Sequence, residues 1–216
     1  MCGLRPGKSD MALEDVADCE LFKLAMAGEE SAFVSLYRRW QGNIYRFSLR
    51  FSGSASIAED VTQEVFLSLI DSASRFNPAL GSFSSYVYGI ARNHLLRRMS
   101  RERIFAPIAE NSEEENRGPH EEMSRPSDPL GDITQQEIKD SLHRAIAALP
   151  LRYREVVVLC ELEELKYEEA ARVIGCPEGT VRSRLHRARS LLLHKLRKKT
   201  RKDSQTAGIA PAGCTP

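Results

Sequence analysis

No stretch of this 216-residue chain stays apolar long enough to span a membrane, so membrane insertion is not expected. Residues Met1 to Asp10 lack the apolar core of a signal peptide. Cysteine is sparse: Cys2, Cys19, Cys160, Cys176 and Cys214 are odd in number and widely scattered. No CxxC pair or Cys/His cluster has ligand spacing, which argues against a disulfide framework and a zinc site. A reduced, cytoplasmic protein is expected. Cys160 and Cys176 fall on apolar positions and read as core residues. Neither a nucleophile–base pair nor a phosphate-binding glycine loop is visible, so no enzyme, cofactor or metal is expected. Net charge is also nearly missing: 31 Lys and Arg oppose 30 Asp and Glu, for +1. That balance hides strong segregation, and the local charge carries the information.

The most informative stretch is Tyr167 to Arg189. Ala170, Ala171, Val173 and Ile174 give a first short helix an apolar face. Gly175 stands where a left-handed C-cap is wanted, and Pro177 cannot continue the helix. Thr180 is expected as the N-cap of a second helix. Val181, Leu185, Ala188 and Leu192 recur at helical spacing as its buried stripe. Arg182, Ser183, Arg184, His186, Arg187 and Arg189 fill the rest. An Arg-rich helix is usually a solvated face, but such faces mix signs. Here no acid stands between Gly179 and Lys202. The pattern is a helix-turn-helix whose second helix suits a DNA major groove.

Upstream, the apolar spacing predicts helices over about 18–27, 31–51, 56–72 and 82–102. In the second, Phe33, Leu36, Tyr37, Trp40, Ile44, Phe47 and Phe51 form a core stripe. In the third, Ile57, Val61, Val65, Phe66, Leu69 and Ile70 are expected inside. Asp60, Gln63, Glu64 and Leu67 line the opposite side, which reads either as ordinary surface or as a docking face for a partner helix. In the fourth, Phe83, Val87, Ile90, Ala91 and Leu95 are expected inside. Tyr86, Tyr88, Arg92, Asn93, His94, Arg97, Arg98, Arg101 and Arg103 occupy its other side. Aromatics interleaved with Arg and Asn suit single-stranded nucleic acid. A basic exposed side with core tyrosines accounts for the composition equally well.

From Ile104 to about Ile133 the chain carries four prolines and eight acids, opposed by Arg117 and Arg125. Such a composition reads as a flexible acidic linker, whose charge suits either a path through a basic channel or a self-repulsion that keeps the flanking domains apart. Helices are then predicted from a Thr134 cap to Leu149, with Ile138 among its inward residues, and over Leu151–Leu162. The Ala-, Gly-, Pro- and Ser-rich tail is expected to be irregular. The fold class expected is all-α, with two small helical domains.

Four ordered motifs resemble those of bacterial sigma-70 family RNA polymerase sigma factors of the extracytoplasmic-function group. They are Ala32 to Tyr37, Ala58 to Leu67, Phe83 to Asn93, and Leu149 to Val156 ahead of the helix-turn-helix. The resemblance implies a four-helix region 2 domain at 18–103, a flexible acidic linker at 104–134 and a region 4 helix-turn-helix domain at 135–199. Irregular segments at 1–17 and 200–216 would flank them. It further implies that Asp60, Gln63, Glu64 and Leu67 bind the clamp helices of the largest polymerase subunit. Tyr86, Arg92, Asn93, Arg97 and Arg98 would contact the minus-ten element. Thr180, Arg182, Ser183, Arg184, Arg187 and Arg189 would contact the minus-thirty-five element. Core RNA polymerase, including its flap region, promoter DNA and an anti-sigma factor are the implied partners. The family usually has Trp where Tyr86 stands and often Asp where Arg97 stands. The main rival is a conventional helix-turn-helix regulator that acts without replacing a sigma factor. A nucleic-acid enzyme and a protein that only titrates polymerase are further alternatives.

Overall fold

The computed structural model describes residues 15–71, 76–101 and 132–206, with 132–138 and 197–206 described by backbone alone. The expected irregular start, most of the linker and the end of the tail lie outside the described residues. So does the side chain of Ile138. Among the described residues all regular structure is helical.

The first unit is four helices. In α1 (Asp18–Met26), Leu21 and Phe22 are buried. Its start is pinned to α2 (Glu30–Ser52) by Arg39, which donates to the Asp18 carboxylate at 2.6 Å and the Val16 carbonyl at 2.8 Å. Along α2 the residues Ala32, Leu36, Trp40, Ile44, Phe47 and Phe51 recur every three or four positions and are buried. That stripe, not intrinsic propensity, holds a helix of this length in place. Gly53 ends it in the left-handed region at φ 78°, its N–H donating to the Leu49 carbonyl. Two further helices, α3 (Ala55–Asp71) and α4 (Phe83–Arg101), pack on α2 and on each other. Phe22, Phe76, Phe83 and Tyr86 form a ring cluster with centroids 5.2–6.4 Å apart. Trp40 extends it edge-on to Phe83 and Tyr88.

The second unit comprises α5 (Asp132–Ala147), α6 (Leu151–Val157), α7 (Tyr167–Ile174) and α8 (Glu178–Thr206). Ile146, Leu149, Val156, Val157, Leu159, Leu165, Ala170, Val181, Leu185 and Ala188 form its core. The turn between α7 and α8 is built as the sequence predicts. Gly175 lies at φ 78°, and its N–H donates to the Ala171 carbonyl.

Several expectations are corrected. The helix predicted over 151–162 is α-helical only to Val157 and then widens into a π-helical turn, Val158–Leu162. Thr180 does not cap α8; the helix starts two residues earlier, and Thr180 donates its N–H to the Pro177 carbonyl. Proline at that boundary sets the start, since its missing donor is one the first turn does not use. Ile70 is 49% exposed rather than inside, whereas Tyr88 is buried rather than on the open side of α4. The helix edges also run longer than expected, α5 beginning at Asp132 and α8 continuing through 200–206.

The last correction concerns the two units together. They are not held apart: one continuous cluster of buried side chains runs through both. Polar contacts across the units add to it. Arg50 on α2 meets the Glu163 carboxylate at 2.9 Å, and the Tyr88 hydroxyl donates to the same carboxylate at 2.6 Å. Arg154 donates to the carbonyl of Phe51 at 2.8 Å and to those of Ala147 and Leu149. It thereby satisfies the exposed carbonyl ends of α2 and α5, the role a cation plays at a helix C-terminus.

Candidate nucleic-acid interface

On α3 the helical period places Asp60, Gln63, Glu64 and Leu67 on one side, while Ile57, Val61, Val65, Phe66 and Leu69 are buried on the other. Leu67 is 62% exposed, and Ile70 extends the apolar part of this stripe. The two carboxylates are braced from α4. Arg98 reaches Asp60 and Glu64, each at 3.0 Å. His94 Nδ1 lies 2.8 Å from Glu64, and its Nε2 lies 2.8 Å from the Ser68 hydroxyl. The sequence groups Arg98 with the minus-ten contacts; the fold turns it toward the α3 stripe instead. Gln63 and Leu67 are the outermost members of that stripe.

The remaining minus-ten candidates are split by the helix. Asn93 and Arg97 are exposed. Tyr86 is half-buried against Phe22 and Phe76. Arg92 is nearly covered: its guanidinium meets the Glu155 carboxylate of α6 at 2.7 Å, with side chains 15% and 6% exposed. Burial pushes the Glu155 carboxyl above its ordinary range, against the opposing pull of Arg92 and Arg184. One acid of the second unit therefore sits within electrostatic reach of one candidate from each DNA-contacting set.

Tyr86, Gly89, Ile90 and Asn93 also line a cleft of about 320 Å³ that Arg172 and Val173 of α7 complete. Arg172 donates there to the Leu80 carbonyl. On α8, Val181, Leu185 and Ala188 are buried. Arg182, Ser183, Arg187 and Arg189 are exposed, and Arg184 and Thr180 are half-buried. Arg182 pairs with Glu178 one turn back, at 2.8 Å, and Arg189 pairs with Glu161. The exposed side of α8 is thus a row of guanidiniums on a rigid rod, the arrangement that follows a duplex backbone or enters a groove.

Sequence reasoning missed three residues that shape these surfaces: Glu155, Glu163 and Arg172. Only Glu155 carried a signal, as an acid set among Tyr153, Val156 and Val157 where the helix buries its side chains. Among the described residues no group of His, Cys, Asp and Glu could hold a metal ion, and no helix is long and apolar enough to cross a membrane.

Comparison with known proteins gives two family matches in the same chain order. Residues 36–104 match the Sigma-70 region 2 family and residues 139–192 match the Sigma-70, region 4 family. The ECF RNA polymerase sigma factor SigE of Mycolicibacterium smegmatis is 33% identical over 186 residues, which is 83% of this chain and 68% of that protein. The ECF RNA polymerase sigma-E factor of Escherichia coli K12 is 32% identical over 190 residues, 85% of this chain and 96% of that protein. Among solved structures, CnrH in complex with the cytosolic domain of CnrY aligns with a TM-score of 0.61 at 22% identity, covering 85% of this chain and 99% of that one. The sigma factor RpoE in complex with the anti-sigma factor NepR from Bartonella quintana aligns with a TM-score of 0.57 at 21% identity, over 73% and 91%.

Proposed function

This chain belongs to the sigma-70 family, in its extracytoplasmic-function group, and we propose how its two helical units divide the work of a sigma factor. It binds core RNA polymerase and directs it to specific promoters, so its action is differential binding. The first unit docks on polymerase through Gln63, Leu67 and the carboxylates of Asp60 and Glu64, which suit a basic helical partner. Arg98 and His94 hold those carboxylates in place from α4. Tyr86, Arg92, Asn93 and Arg97 meet the minus-ten strand. Arg182, Ser183, Arg184, Arg187 and Arg189 meet the minus-thirty-five duplex, with Thr180 at the start of the same helix. An anti-sigma factor is the expected regulator, in line with the relatives solved in complex with one. The place of action is the cytoplasm, where the polymerase is.

The observation that carries this reading is the α3 stripe: an exposed Leu67 beside braced acids, on the side of the helix that the fold leaves uncovered. The test is run-off transcription with purified core polymerase on a promoter fragment library. Leu67→Asp with Gln63→Ala changes only the outer rim of the stripe and leaves the Arg98 and His94 pairs intact. Promoter-specific transcripts from the wild type, reduced at least about tenfold in the variant, are expected; removal of a few central interface groups is worth that much. Duplex binding without any effect of core polymerase would favour the conventional regulator instead.

A further inference from the structure

Glu64 is held at both carboxylate oxygens from α4. Its Oε1 accepts from Arg98 at 3.0 Å, and its Oε2 lies 2.8 Å from Nδ1 of His94. The other ring nitrogen of His94, Nε2, lies 2.8 Å from the hydroxyl of Ser68, one turn further along α3. A single imidazole on α4 thus spans a full turn of the docking helix.

The partners fix the proton of this ring. A carboxylate only accepts, so Nδ1 is the donor to Glu64. In the neutral ring Nε2 then accepts from the Ser68 hydroxyl; in the charged ring it donates to the same oxygen. A hydroxyl serves both roles by turning about its C–O bond. The ring gains or loses a proton without leaving its place, and what changes is charge rather than shape.

That charge falls on the docking stripe. Asp60 and Glu64 set two carboxylates against the guanidinium of Arg98, a balance of one negative charge, which a protonated His94 cancels. The groups facing the ring are Glu64 and Ser68 on α3, with Arg98 and Asp60 next in the same network. α2 and α7 also pack on α4, and Glu155 of α6 reaches it at Arg92. Among the described residues, none of these three helices brings an acid or base into an ion pair or hydrogen bond with His94.

A strut between two helices would be the plain role of such a histidine. The core that the helices share is already filled, however, by buried Val61, Val65, Leu69, Val87, Ala91 and Leu95. The His94 and Glu64 side chains lie at its rim, 20% and 33% exposed, where an ion pair adds little stability. The placement along α4 is also informative. Asn93 and Arg97, the exposed minus-ten candidates, directly precede His94 and Arg98, which turn to α3. The helix assigned to DNA therefore also sets the charge of the docking face.

We propose, resting on the sigma reading above, that His94 is a positioning residue for polymerase docking: it orients the Glu64 carboxylate on the stripe, and its proton sets the charge that the stripe offers a basic partner helix. Docking is strongest with the ring neutral. It weakens as the ring is charged, in the range of about pH 5 to 8 where an imidazole exchanges its proton.

The test compares the full-length wild type with His94→Gln, whose amide still donates to Glu64 but takes up no proton. Affinity for purified core polymerase is measured at about pH 8 and about pH 6, on either side of imidazole exchange. The ratio of the two proteins' affinities removes the polymerase's own titration. Between those conditions the wild type is expected to lose about threefold more affinity than the variant, the scale of one partly exposed charge. Equal losses, or a larger loss in the variant, overturn the proposal and leave His94 a strut. Ring-nitrogen NMR of the wild type alone is expected to show the neutral His94 with its proton on Nδ1. A proton on Nε2 overturns the pinning by Glu64, whether or not the variant folds. If the wild type binds no core polymerase at either pH, the sigma reading itself fails, an outcome distinct from binding that ignores the proton.

Discussion

Glu155 concentrates the chemistry of this molecule in one carboxylate. It is buried, hydrogen-bonded to Arg92 and raised in pKa chiefly by desolvation. A carboxyl with a folded pKa above its unfolded value binds its proton more readily in the folded state. Folding then takes up a proton, and this group's contribution improves as pH falls toward the folded pKa and is lost as pH rises through it. Denaturation midpoints of the wild type and Glu155→Gln, measured from neutral pH downward, are expected to shift relative to one another in favour of the wild type as pH falls. A difference constant across that range would contradict the assignment. Arg98 makes a second point at this scale. Its sequence neighbourhood is that of a DNA contact, yet one helical turn beyond His94 it meets the acids of α3. Cys160 is half-buried, and burial and Glu161 push its thiol up to about 11, which disfavours the reactive thiolate at neutral pH.

At the scale of elements, the turn between α7 and α8 decides where the guanidiniums of α8 point. Its conformation rests on Gly175 in the left-handed region, with open space where a Cβ would stand. Replacement by Ala meets no neighbour but strains the backbone, at about 1 kcal/mol. Gly175→Ala is expected to lower the unfolding free energy by that amount, read as a lower denaturation midpoint, and to weaken minus-thirty-five duplex binding in the holoenzyme; an unchanged midpoint would show that the turn relaxes another way. The π-helical turn at Val158–Leu162 acts similarly. One wider turn ends α6, and Glu163 directly after it reaches back to Arg50 and Tyr88. Such turns often sit where a side chain has to be re-aimed.

For the whole molecule the question is whether two units behave as one. The buried cluster is continuous, and ion pairs and hydrogen bonds cross between the units. Trp40 is the sole tryptophan and lies in the core of the first unit. Its fluorescence therefore reports that unit, while far-ultraviolet circular dichroism reports both. In the wild type the two signals are expected to lose structure at the same temperature, since a shared core makes one cooperative transition. In a double variant, Glu163→Ala with Arg172→Ala, they are expected to separate. Separate transitions already in the wild type would mean that the interface adds no coupling.

Helical periodicity makes most of the elements legible in the residue order. Phe47, Phe51, Val61, Val87, Leu185 and Ala188 belong inside by spacing alone, and all are fully or almost fully buried. Gly175 announces its turn, because few residues other than glycine adopt that backbone angle without strain. The all-α class and the charge of α8 are likewise local properties, written in neighbouring residues. Which polar side chains meet across the units is not readable in the same way. Arg172 and Glu163 look like ordinary surface charges in sequence, nothing in the sequence pairs Arg92 with Glu155, and the partners lie 63 to 113 positions away. A helix's own period tells which side a residue occupies, but not what packs there. Tyr88 lies inside and Ile70 outside for the same reason: neighbouring helices, rather than the residues' own hydrophobicity, set the local burial. Sequence by itself determined the helices, most of their buried stripes and the family; the tertiary structure alone decided that Arg92 of α4 is covered by Glu155, because pairing between distant charges depends on how the units are placed in space.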